Sequence, residues 1–158
     1  MTMTTRIDYR TQSAPGALEG LRTLEQYVRQ SGLEPMLLEL VKTRASQVNG
    51  CAFCIDMHTK DARAHGETEQ RLYGLSAWRE APFYTPRERA ALEWTEALTL
   101  IARNDVPDEL YARVREHFNE RQLVDLSLAI VAINGWNRLA IALRFPPPGS
   151  HRAPEPPR

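Results

Sequence analysis

Residues 122–143 leave a helix with almost no face to offer to solvent: Leu123, Leu126, Leu128, Ile130, Val131, Ile133, Trp136, Leu139 and Ile141 fall on most sides of it. A helix apolar nearly all round has to run through the centre of its domain or be shared with another subunit, and in so short a chain both are expected. Asp125, Asn134, Asn137 and Arg138 interrupt the run. No segment therefore approaches the roughly 20 apolar residues of a membrane-spanning helix, and no membrane association is expected.

The remaining apolar residues recur at three- and four-residue steps, never in sustained alternation. Ser13-Ala14-Pro15 opens a helix carrying Leu18, Leu21, Leu24, Tyr27 and Val28, stopped by Ser31-Gly32. A second helix starts near Glu34-Pro35 and ends at Asn49-Gly50; a third runs from about Cys51 to Ala64, and Thr68-Glu69-Gln70-Arg71 opens a short fourth. Thr85-Pro86-Arg87-Glu88 caps a helix reaching about Arg103, another carries Leu110, Tyr111, Val114 and Phe118, and Asn119-Glu120 begins the last. The fold class is all-α, with about six to seven helices. Residues 1–12 show no period and are expected to be an extended arm, 13–145 the helical domain, and 146–158 a disordered tail holding six of the eleven prolines.

Twenty basic residues balance twenty acidic ones, so no net field concentrates phosphates or anionic lipids, and nucleic acid is not an expected partner. With 42% apolar and 25% charged residues the composition is that of an ordinary globular domain. The first residues contain no apolar core of a signal peptide, which makes the cytoplasm the expected location. Two cysteines three positions apart close too short a loop to serve as a structural staple, so their spacing points to chemistry.

Cys51 and Cys54 open a helix, where free backbone N–H groups and the positive dipole end stabilise a thiolate. One turn apart, their sulfurs share a side and can close a reversible disulfide. His58 lies four residues after Cys54, in phase with both sulfurs, and is suited to take a proton from either thiol and return it to a leaving oxygen. Glu39, on the preceding helix, is placed to orient that imidazole. Zinc is disfavoured, because no further cysteine completes a tetrahedral set, and no metal or cofactor is expected.

Glu39, Cys51-x-x-Cys54-x-x-x-His58 and the Asn49-Gly50 before them, together with 43–51, 85–92 and Ile133-Asn134-Gly135-Trp136-Asn137-Arg138, resemble the alkylhydroperoxidase D-like branch of the carboxymuconolactone decarboxylase superfamily. The resemblance spans about residues 15–145. It implies an all-helical subunit in a homo-oligomer, often a trimer or hexamer, and a thiol-dependent peroxidase acting on organic hydroperoxides or hydrogen peroxide. By matching position, Cys54 is peroxidatic, Cys51 resolving, and Glu39 with His58 a proton relay. A lipoyl protein or a thioredoxin-like donor is implied as thiol reductant. Some members carry a histidine immediately before the second cysteine; here that residue is Phe53, and a relay through that imidazole is absent. The decarboxylase branch lacks the cysteine pair, which argues against lactone decarboxylation.

Two other functions remain open from the residues themselves. One is a dithiol-disulfide oxidoreductase or redox sensor with Cys51 as the attacking thiol; the other is a non-enzymatic helical oligomer. His65, beside Gly66 at a helix end, reads as structural; Trp94, Trp136 and Tyr84 are candidates for lining a hydroperoxide pocket, but aromatic residues at helical spacing are more often core or subunit interface. Asn134 and Asn137 read as polar positions hydrogen-bonded at an interface.

Overall fold

A computed structural model describes residues 4–153, and among these every regular element is helical. After a single turn, α1 (Tyr9–Gln12), come α2 (Glu19–Gln30), α3 (Pro35–Asn49), α4 (Ala52–Ala64) and α5 (Glu69–Gly74). A 3-10 turn at Leu75–Ala77 leads to α6 (Pro86–Thr99), α7 (Asp108–Arg115) and α8 (Glu120–Leu143). Eight α-helices exceed the six to seven expected because the arm supplies α1.

The boundaries follow local chemistry. At α6 the Thr85 hydroxyl accepts from the Glu88 N–H while the Glu88 carboxylate accepts from the Thr85 N–H, with Pro86 in the first turn. Asn119 and Gln122 close the same reciprocal cap on α8. α2 begins at Glu19 rather than near Ser13, because Gly16 at φ +81° turns the chain first. α6 stops at Thr99, four residues short of the expected Arg103.

α8 is the helix that α2, α3 and α6 pack around. Its Leu126, Ala129 and Ile130 meet Val28 of α2, Val41 of α3 and Ala91 of α6 in the main core. α8 is long and apolar enough to cross a membrane, contrary to the expectation from its interruptions, but it packs as the core helix of this domain. A second cluster gathers Leu40, Ala62, Leu75, Trp78 and Leu92. A third joins Ala45, Ile133 and Ala140 to both cysteines, and this one carries the site.

Two expectations about the chain ends are corrected. The arm is not extended throughout: the Asp8 carboxylate caps α1, Arg6 and Ile7 donate backbone N–H groups to the Leu143 carbonyl at 3.0 and 3.2 Å, and Tyr9 packs edge-on to Phe145. The tail is ordered as far as residue 153. Pro146 is buried, the Gly149 N–H donates to Asp56 at 3.2 Å, Lys60 donates to the His151 carbonyl at 3.3 Å, and His151 Nε2 meets Asp61 at 2.7 Å. Apart from a local turn in which Ser150 donates to the Pro147 carbonyl, the proline-rich segment depends on another element for its hydrogen bonds, and α4 supplies them here. Residues 1–3 and 154–158 lie outside the described residues.

The join of α3 to α4 is two residues, Gly50 at φ +73° and the N-cap Cys51, and the N–H of each turns back to the last turn of α3. Asn49 braces this turn from the side, donating to Asn134 at 3.0 Å and Asn137 at 2.8 Å, and Asn137 in turn donates to the Ser46 hydroxyl at 3.1 Å. The two polar positions of α8 thus bond within the chain. A Cβ on Gly50 or on Gly20 would meet nothing within 4 Å, so only backbone conformation separates the two sites. Gly50→Ala is expected to cost about 1–2 kcal/mol, and Gly20→Ala, in the exposed first turn of α2, to gain about 0.5–1 kcal/mol, both read from urea midpoints at constant slope.

Candidate active site

Cys51 is the N-cap of α4, and its sulfur accepts the Cys54 N–H at 3.4 Å. The two sulfurs are joined as a disulfide across a Cα separation of 5.3 Å, the oxidised form of the pair. Both side chains are buried, so chemistry at them goes through the adjoining cavities.

The sulfurs open in different directions. Cys54 and, one turn later, His58 line a cavity of about 440 Å³ whose other walls include Phe53, Met57, Leu18 and Trp136. Cys51 lines a separate pocket of about 130 Å³ under Arg144, Pro146 and Pro148. Phe53, Ala140 and Pro146 face both and form the partition. Phe53 is therefore an apolar wall at the position where some relatives of this motif carry an imidazole. Trp136, read from the sequence as core or interface, belongs to the wall of the larger cavity.

His58 is buried, and its Nδ1–H donates to Glu39 Oε2 at 2.8 Å. A carboxylate on that nitrogen fixes the tautomer and leaves Nε2 as the basic atom. Burial alone would raise the Glu39 carboxyl, but the His58 hydrogen bond and the positive charges of His58, Lys42 and Arg29 hold it below its ordinary 4.5. Of the four residues singled out from the sequence, Glu39 thus meets His58 across the α3–α4 interface, His58 shares a cavity wall with Cys54, and Cys51 is joined to Cys54 by the disulfide.

Sequence reasoning missed the charges behind this pair. Lys42, one turn beyond Glu39, is 1% exposed and donates to Glu25 of α2, which also accepts from Arg29 at 3.3 Å. Burial pushes the Glu25 carboxyl up, but Lys42 and then Arg29 bring it below 4.5. The available signal was a lysine three residues after Glu39 on the same helix. Asp61 was missed as well: Glu39, His58 and Asp61 bring one donor atom each within 4.8 Å of one another. That is close enough for a cation, but Glu39 is engaged by His58 and Asp61 by His151, so both carboxylates are already in hydrogen-bonded pairs. His65 caps the end of α4 with Nδ1 on the Asp61 carbonyl at 2.7 Å, as its structural reading requires.

The family model of carboxymuconolactone decarboxylase matches residues 15–97, more than half of the chain. The chain belongs to the carboxymuconolactone decarboxylase family. Within that family it is 55% identical to YdfG, an uncharacterized protein of Bacillus subtilis strain 168, over 89% of this chain and 95% of the relative. ATU0492 of Agrobacterium tumefaciens, a protein of unknown function suggested to be the antioxidant defence protein AhpD, has a crystal structure that superposes with a TM-score of 0.86. The two are 44% identical, over 96% of this chain and 99% of that one. The debrominase Bmp8, at TM-score 0.74 and 17% identity over 82% of this chain and 70% of its own, is alike in fold alone. The fold of this family member is AhpD-like, and it carries the paired cysteines of that branch.

Glu25 and Glu39, with Glu96, which accepts from Trp78, Arg79 and Arg44, are all held below 4.5 in the folded state. A depressed carboxyl stabilises the fold fully above its unfolded value, and that contribution is lost as pH falls through the folded value. Urea midpoints are expected to be insensitive to these groups above pH 4.5 and to fall progressively below it. Glu25→Gln, which leaves the Lys42 ammonium buried without its anion, is expected to cost about 3 kcal/mol at pH 7 and to flatten the acid limb.

Proposed function

We propose that this chain is a thiol-dependent peroxidase that reduces organic hydroperoxides or hydrogen peroxide through a Cys51/Cys54 dithiol-disulfide cycle. The observation that carries the reading is that Cys54 and His58 share the wall of one apolar cavity, while Cys51 opens into a separate pocket. A hydroperoxide in the larger cavity meets Cys54 first, and the smaller pocket serves the sulfur that resolves and is later reduced.

The cycle starts from the dithiol. His58 takes the Cys54 proton on Nε2, and the imidazolium is stabilised by the Glu39 carboxylate at Nδ1. The Cys54 thiolate attacks the terminal oxygen of R–O–OH and the O–O bond breaks. The alkoxide leaves as ROH with the proton from His58, and Cys54 becomes a sulfenic acid. Cys51 then attacks the Cys54 sulfur, the S–O bond breaks, and water departs with the Cys51 proton. The balance is two thiols and ROOH in, one disulfide, ROH and water out. An external dithiol, of lipoyl or thioredoxin-like type, returns the pair to the reduced state. The subunit acts as a homo-oligomer, a trimer or hexamer, for which the exposed Val124, Val131 and Ile141 of α8 supply apolar surface.

One feature favours a second reading, a dithiol-disulfide oxidoreductase led by Cys51. The hydrogen bond from the Cys54 N–H and the N-cap position both stabilise a thiolate at Cys51. The two are separated by cysteine variants in pre-reduced protein. Cys54→Ser is expected to consume no cumene hydroperoxide, and Cys51→Ser to consume one equivalent and stop with a sulfenic acid trappable by dimedone. His58→Ala is expected to slow the first step by about 10²-fold or more. Normal consumption by Cys54→Ser would sink the peroxidase reading.

A further inference from the structure

The rim of the Cys54 cavity is more cationic than a pocket for small neutral hydroperoxides requires. Arg10, Arg22 and Arg29 all line it, against a single acidic residue, Glu25. Glu25 is already engaged by the buried Lys42 and by Arg29. Among the described residues neither Arg10 nor Arg22 has a carboxylate within 4.0 Å: Arg10 lies over the Phe145 ring, 4.4 Å from its centroid, and the ion pairs use other arginines. Tyr9 lines the same cavity, and the pKa of its hydroxyl, raised by burial, is drawn down by Arg10 and Arg22 and raised by the Asp8 carboxylate, which itself caps α1. Deeper in, Leu18, Phe53, Met57 and Trp136 make the walls apolar down to Cys54 and His58. An apolar shaft with a reactive sulfur at its base and two guanidinium groups without acid partners at its mouth is complementary to one kind of molecule.

Resting on the peroxidase reading, the geometry points to an amphipathic substrate: an organic hydroperoxide with an apolar body and a carboxylate head, the head held by Arg22 and Arg10 and the peroxide group presented to Cys54. Arg22 is the specificity-determining residue. Guanidinium groups bind a carboxylate through paired N–H donors, and a partner at the rim adds selectivity while the apolar walls supply most of the binding. The cavity, about 440 Å³, lies within the range that encloses a ligand of this type. The chemistry is unchanged: the O–O bond is broken by the Cys54 thiolate, ROH and water leave, the Cys51/Cys54 disulfide forms, and the carboxylate takes no part.

The test uses full-length, pre-reduced protein in single turnover, so that no external reductant enters. The probes are the hydroperoxide of linoleic acid and its methyl ester, both below their aggregation concentrations, with loss of hydroperoxide followed at matched concentrations. The second-order rate constant for the acid is expected to exceed that for the ester by about tenfold, the selectivity of one charged hydrogen-bonded contact. That ratio is expected to shrink as salt is raised from about 0.05 to about 0.5 M, because the screening length shortens with ionic strength. It is expected to approach one in an Arg10→Gln/Arg22→Gln double variant and to be largely retained in Arg22→Lys. Equal rates for acid and ester in the wild-type protein would overturn the inference while leaving the peroxidase reading intact, as would an acid preference that survives the double variant. Consumption of neither probe, nor of cumene hydroperoxide, would overturn the peroxidase reading and this inference with it.

Discussion

The left-handed conformation of Gly50 ends α3 and delivers the chain to the N-cap of α4 within one residue, so that the carboxylate of Glu39 faces the imidazole of His58 at 2.8 Å. A longer connection would let the two helices slide against each other, and a hydrogen bond between buried groups tolerates little sliding before both are left unsatisfied. The turn is held from outside by Asn49, Asn134 and Asn137, which tie the end of α3 to the central helix. The same constraint puts Cys51 at the mouth of α4, with its sulfur on the Cys54 N–H. Capping, the thiol pair and the proton-handling pair are therefore consequences of one backbone geometry.

Behind that geometry lies a run of alternating charges carried by three helices: Arg29 and Glu25 on α2, Lys42 and Glu39 on α3, His58 on α4. Each buried charge in such a run is tolerable because its neighbours carry the opposite sign, and removal of any one leaves another uncompensated. The arrangement keeps the Glu39 carboxyl ionised in spite of its burial. With Glu39 ionised, the proton relay proposed for His58 would leave no isolated cation in the interior. Packing and reactivity thus draw on the same residues, and the apolar groups around Cys54 complete the site by limiting water at the sulfur.

Much of the site was legible in the primary structure because its members lie close together along the chain. Cys51, Cys54 and His58 sit on one helix at three- and four-residue spacing, and the Asn49-Gly50 stop before them marks where that helix begins. Glu39 was reachable through the family pattern. Lys42 and Glu25 were not, since a lysine and a glutamate 17 residues apart on different helices carry no local sign of pairing. The chain ends were misread for a related reason. Proline content says that residues 146–153 form no helix or sheet of their own, but not that Asp56, Lys60 and Asp61 of α4 provide the partners that order them.

What the sequence determined by itself was the helical class, the position of most helices and the dithiol with its histidine, because periodicity, caps and motif spacing are local properties of a chain. Tertiary structure alone decided that the two cysteines line different cavities, that Phe53 and Pro146 form the wall between them, and that Arg10 and Arg22 line the same cavity as Cys54. Those relations join α1, α2, α4, α8 and the segment after α8. Contacts between elements so far apart in sequence depend on how helices pack around α8, and no local pattern of residues encodes that packing.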